Sequence, residues 1–157
     1  MARGSRWCDR TFGRRLPLSW LVVLVGLAPV ASAQAPPAEV AVRLETGRKA
    51  LVARVEKLKR DESINRRLVA DVEVFAKAIE WAVRHQEFYA PRSGKGASAW
   101  VGYAEKALRI GTRRAEELAA GKPSWVLQPG STIRGYYSKV DGSVQPYAIS
   151  LPTGINP

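Results

Sequence analysis

The chain has 157 residues, a formal net charge of +11 and 46% hydrophobic residues, which fits one domain at most. Its single cysteine, Cys8, excludes an intrachain disulfide. With His85 as the one histidine, no zinc-type ligand set is visible.

The N-terminus predicts a secretory signal over residues 1–33. Arg3, Arg6, Arg10, Arg14 and Arg15 form a basic region, and Leu16 to Val30 is apolar and uncharged. Ala31-Ser32-Ala33 then offers the small residues a signal peptidase requires, with cleavage before Gln34. The apolar run falls short of the roughly 20 residues a spanning helix needs, so the expected product is exported, periplasmic or extracellular. The membrane is a partner only if this segment stays uncleaved. Cleavage would leave a basic remainder without cysteine.

Residues 34–38 read as a flexible lead, and 39–122 as a helical region. From Glu39 to about Arg60, Leu44, Leu51, Val55 and Leu58 fall on one helical stripe, weakened a little by Gly47. Asp61 to Arg67 reads as a connection. Asp71 is expected to cap a second helix whose Val72, Phe75, Ala76, Ile79, Ala82 and Val83 repeat at helical spacing to about Glu87, ahead of Pro91. After the glycine-containing stretch Arg92 to Ala97, a third helix is predicted over Ser98 to Ala120. Tyr103, Ala107, Ile110 or Gly111, and Leu118 form its apolar side, and Gly121 stands at the left-handed C′ position.

Residues 131–151 change character to aromatic and β-branched. Asp141-Gly142 predicts a type I′ hairpin that pairs Tyr136 with Tyr147 and Tyr137 with Pro146. Pro146 cannot donate to a ladder, so its nitrogen must face an edge or bulge. Residues 152–157 are a tail. The expected fold class is α+β: a signal peptide, about three helices, then a C-terminal hairpin. A two-stranded ribbon alone is marginal in water, so this hairpin either packs on the helices or begins a sheet completed elsewhere.

Nothing marks a catalytic, cofactor-binding or metal-binding residue. His85 lacks the base or nucleophile partners that define a triad, and no G-x-S-x-G elbow occurs. Gly94-Lys95-Gly96 does not match a phosphate-binding loop. Trp81, Phe88, Tyr89 and Trp100 are expected in core and interhelix packing. The basic residues are interleaved with acids, as in Glu45/Lys49, Glu56/Arg60 and Glu105/Arg109, the pattern of a solvated helix surface and not of a nucleic-acid site.

Asp71 to Ala82 (DVEVFAKAIEWA) and Arg134 to Tyr147 (RGYYSKVDGSVQPY), followed by Leu151-Pro152, resemble the N-terminal region of secreted bacterial prolyl-oligopeptidase-like serine hydrolases. The resemblance covers roughly residues 65–152. It implies a small helical region leading into the hairpin that opens an α/β-hydrolase sheet. The oxyanion segment, serine elbow and triad of that family match no position here, so no catalytic residue is carried over. The chain is therefore expected to be inactive alone. It would be a non-catalytic, fragmentary region whose partner is a missing C-terminal hydrolase domain. The alternative is a free-standing periplasmic or surface helical interaction module.

Overall fold

A computed structural model describes residues 35–88 and 98–154. The expected signal segment, Tyr89, the 92–97 stretch with Gly94-Lys95-Gly96, and residues 155–157 lie outside them. The described part is α+β: three helices, α1 (Ala38–Arg60), α2 (Arg66–Arg84) and α3 (Ser98–Ala119), one 3₁₀ turn (Ser124–Val126), then an antiparallel hairpin of β1 (Gly130–Tyr137) and β2 (Val144–Leu151).

α1 buries the stripe read from the sequence, Leu44, Leu51, Val55 and Leu58. Glu39 in its first turn and Lys57, Lys59 and Arg60 in its last complement the helix dipole. Gly47 has a packing reason: a Cβ there would stand 2.3 Å from Leu108 Cδ2 on α3. Arg43 with Glu105, and Arg54 with Glu116, tie α1 to α3 across their exposed flanks. Glu45 pairs with Lys49 as expected, at 3.9 Å, although its closer partner is Arg48 at 2.6 Å. Glu56 and Glu105 instead find Lys59 and Arg43.

α2 begins earlier than expected. Asn65 is its N-cap, its side chain accepting from the Arg67 amide at 3.0 Å. Asp71 is not a cap but an interior residue, and it is buried. The helix also stops before Pro91 can act. The Gln86 and Glu87 amides donate back to Val83 and Ala82 carbonyls, and Gln86 takes φ 55°, which is the Schellman closure. α3 closes likewise. Gly121 has φ 71°, and the Gly121 and Lys122 amides donate to Leu118 and Glu117.

α2 is central, touching α1, α3 and both strands. The main core joins Leu51, Val55 and Leu58 of α1 with Val69, Val72, Phe75 and Ala76 of α2. Ala115 and Leu118 of α3, Trp125 and Val144 complete it. A smaller cluster of Leu44, Ile79 and Phe88 fills the other end. Phe88 is thus core, as expected, whereas Trp81, Trp100 and Tyr103 are exposed. Trp81 instead meets the His85 ring edge and the Lys77 ammonium, and Trp100 meets Tyr103.

The hairpin stands where predicted, but its turn differs. The Ser138 amide donates to the Ser143 carbonyl and the Gly142 amide to the Ser138 carbonyl, enclosing a loop from Lys139 to Gly142. Gly142 has φ 70°, while Asp141 is not left-handed. Instead, the Asp141 carboxylate accepts from the Ser143 amide and hydroxyl. This Asx-type bonding stabilises an alternative to the two-residue turn. Tyr136 therefore pairs with Gln145, Tyr137 with Val144, Arg134 with Tyr147 and Gly135 with Pro146. The register is shifted by two from the expectation, so every residue keeps its expected face.

Candidate functional site

The informative region is the junction where the hairpin meets α2 and α3. Asp71 of α2 is 1% exposed and fully hydrogen-bonded. Its Oδ1 accepts from the Gly135 amide at 2.7 Å, and its Oδ2 from Arg134 Nε at 2.7 Å and Trp125 Nε1 at 3.1 Å. A helix carboxylate thus gathers the 3₁₀ turn and β1. Burial makes each bond matter, because an unpaired charge in a low-dielectric interior is costly.

Arg114 of α3 completes the knot at 4% exposure. One terminal nitrogen donates to the Asp71 and Ile133 carbonyls, at 3.2 and 2.7 Å, and the other to Thr132 Oγ1 at 2.7 Å. Its guanidinium carbon lies 5.0 Å from the Phe75 ring centroid and 5.1 Å from that of Trp125, within cation–π range. Arg114 Nε is buried without a partner among the described residues. Burial pushes the guanidinium down to about 10, with Asp71 opposing the shift, so it stays charged at neutral pH. Arg114 falls in phase with Ile110, Gly111 and Leu118. A cation on an apolar stripe was the available signal for this knot, as was the acid Asp71 between Leu68 and Phe75.

A second clamp holds the turn end of the ribbon. Tyr137 donates its hydroxyl to Glu73 Oε2 at 2.7 Å, and Lys59 donates to Glu73 Oε1 at 2.9 Å. Burial, then the Glu73 bond, pushes the Tyr137 phenol well above its ordinary value. Burial opposes the Lys59 charge, but bonds to Glu73 and Glu56 outweigh it and hold its pKa above the usual range. Lys77 donates to the Val144 carbonyl at 2.7 Å. Gly135 lies directly on α2, where an added Cβ would stand 2.1 Å from the Ala70 oxygen.

The ribbon is anchored near its turn as a result. The Ser138–Ser143 bond sets the alternation, so residues 131, 133, 135 and 137 of β1, and 144, 146, 148 and 150 of β2, turn their polar backbone groups outward. On β1, the Gly135 amide and Ile133 carbonyl are taken by Asp71 and Arg114, and among the described residues nothing bonds the outward backbone groups of Ser131. On β2, Lys77 takes the Val144 carbonyl, Pro146 has no N–H, and Ala148 and Ser150 are exposed. Among the described residues, nothing bonds the outward N–H and C=O groups of those two. An apolar groove of about 330 Å³, lined by Val74, Ala78, Trp81, Ile133 and Pro146 among others, runs beside this open edge.

His85 sits at the α2 C-cap, exposed, against Trp81. Among the described residues, no three His, Cys, Asp or Glu side chains gather as a metal site, and no helix is long and apolar enough to cross a membrane. Comparison with known proteins finds no matching family model, curated protein or solved structure.

Proposed function

We propose that this chain is the non-catalytic N-terminal module of an exported serine hydrolase of the prolyl-oligopeptidase-like kind, a helical support that presents the first two strands of the catalytic sheet. The observation that carries the reading is a hairpin anchored on the helices near its turn, with open outer groups toward the far end of β2. β1 is fastened to α2 and α3 through Asp71 and Arg114, while β2 leaves Ala148 and Ser150 open to a further strand. Open edges favour strand addition. The neighbouring groove with Trp81 and Ile133 supplies apolar surface for a covering element. The module would contribute no group to acyl transfer; its part is to hold the sheet's first strands in place.

Reading the coding DNA beyond the Pro157 codon tests this. A G-x-S-x-G elbow in the same or a shifted frame supports it, and its absence from all frames counts against it. In a chain rejoined to such a domain, Ala148→Pro is expected to abolish secreted esterase activity while sparing the helical core. Proline removes the N–H needed for pairing.

The second reading, a free-standing periplasmic or surface interaction module, is favoured by the Asp71–Arg114 knot itself, since the chain's own residues anchor the ribbon. Cooperative melting of purified residues 34–157, with no elbow downstream, would select it.

A further inference from the structure

We infer that the cleft between the α2 N-terminus and the turn end of the hairpin is a binding site for an acidic saccharide. The cleft has a volume of about 700 Å³, the size of a small-ligand site. Three cations line it, Arg67, Arg134 and Lys139, together with Tyr136, Tyr137 and Tyr147, and no acid does. What sets the three apart from other surface cations is that they share one cleft with the tyrosines. Among the described residues Arg67 and Lys139 meet no carboxylate, and both are exposed.

Arg134 adds a fixed donor. Its Nε is committed to Asp71 at 2.7 Å, which locks the guanidinium in place. Arg134 lines the cleft with 15% of its side chain exposed, and among the described residues Asp71 is its side-chain partner. A planar fork held this way suits a carboxylate or sulfate. The flanking cations supply long-range attraction.

The aromatic wall argues for a sugar. Tyr136 and Tyr147 are 51% and 42% exposed, with ring centroids 6.1 Å apart and planes inclined at 60°. Rings so inclined cannot clasp a flat nucleobase between them. Inclined rings that each carry a phenol hydroxyl suit a puckered ring bearing hydroxyls of its own. The chemistry of this cleft is the same whether or not β2 continues into a hydrolase sheet.

Titration calorimetry of the full chain with tetragalacturonate, against neutral galactotetraose and a short single-stranded DNA of equal charge, tests the site. The acidic sugar is expected to bind and the neutral one not. Arg67→Gln and Lys139→Gln should each weaken binding about tenfold, the scale of one lost charge-assisted hydrogen bond. Tyr147→Ala should weaken it by a similar factor. Both cations are exposed, so thermal melts of those two variants should match the parent. The site is overturned if neither sugar binds, if both bind alike, or if the DNA binds as tightly as the acidic sugar. It is equally overturned if Lys49→Gln, far along α1, weakens binding as much as the cleft substitutions. The sugar and DNA comparisons use the unmutated chain, so they decide the matter even if a variant misfolds.

Discussion

Asp71 joins three elements at one point, because both carboxylate oxygens serve groups from other elements. Replacing it with alanine would leave the Trp125 indole and the Gly135 amide without an acceptor. Among the described residues it would also remove the one carboxylate bonded to Arg134. Breaking a buried charge pair by removing one partner typically costs about 3–5 kcal/mol. Asp71→Ala is therefore expected to lose most of its stability in urea titration, whereas Trp125→Phe, which removes one donor and some buried volume but leaves the carboxylate bonded, should lose about 2–3 kcal/mol. A wild-type-like Asp71→Ala would show that the knot is dispensable. Its existence was only half legible in the sequence. An acid before an apolar periodic run looks like a cap, and the partners that make Asp71 an interior residue lie 54 to 64 positions away. No local pattern links Asp71 to Trp125 or Gly135. Only its phase with the apolar stripe hinted at burial.

At the scale of elements, the helices and the position of the hairpin were legible because burial imposes a period on sequence, 3.6 for α1 and two for the strands. What escaped were the features that periodicity does not encode. The α2 stop depends on Gln86 adopting φ 55°, a conformation that sequence would assign to glycine. The hairpin register differs by two, a shift invisible to an alternating pattern. Gly135 exemplifies the contact that seats the ribbon. A Cβ there meets backbone oxygen at 2.1 Å, which cannot swing aside, whereas one at Gly47 meets the end of the Leu108 side chain. Gly135→Ala should therefore lift β1 from α2 and destabilise by at least the roughly 1–3 kcal/mol of an overpacked core. Loss of slow exchange at the Gly135-site amide would report it, and retained protection would refute it. The Glu73 clamp gives a pH signature. The Tyr137 phenol is raised in the folded state above its ordinary 10.0, so the folded form holds its proton where the unfolded form loses it. Its contribution is complete below pH 10 and declines as pH rises beyond that value. Tyr137→Phe should be less stable than the parent at neutral pH, and the gap should narrow above pH 10. Arg114 is common to both proteins, so its own alkaline titration cancels in the comparison. A gap that is constant across this range would mean the phenol is not held protonated by folding.

For the whole molecule, the decisive property is how the ribbon is anchored: side chains of α2 and α3 take outward groups at Ile133, Gly135 and Val144, while those of Ala148 and Ser150 on β2 stay unfilled. This distinction does not follow from fold class, since any helix-backed hairpin is α+β. It follows from which outward backbone groups found partners, and those partners are side chains from α2 and α3. Hydrogen exchange on the isolated chain can read it amide by amide. The Gly135 amide, bonded to a buried carboxylate, should exchange near the rate of global unfolding. In β2 the amides should alternate, with Tyr147 and Ile149 protected inside the ladder and Ala148 and Ser150 exchanging almost freely. Mixing with an element that extends the sheet should slow Ala148 and Ser150 selectively and leave Gly135 unchanged. If Ala148 and Ser150 are already as slow as Tyr147 in dilute monomer, β2 has no open side, and neither strand addition nor a continued sheet can be its role. If instead they slow only as the chain is concentrated, the open side is real and is satisfied by a second copy.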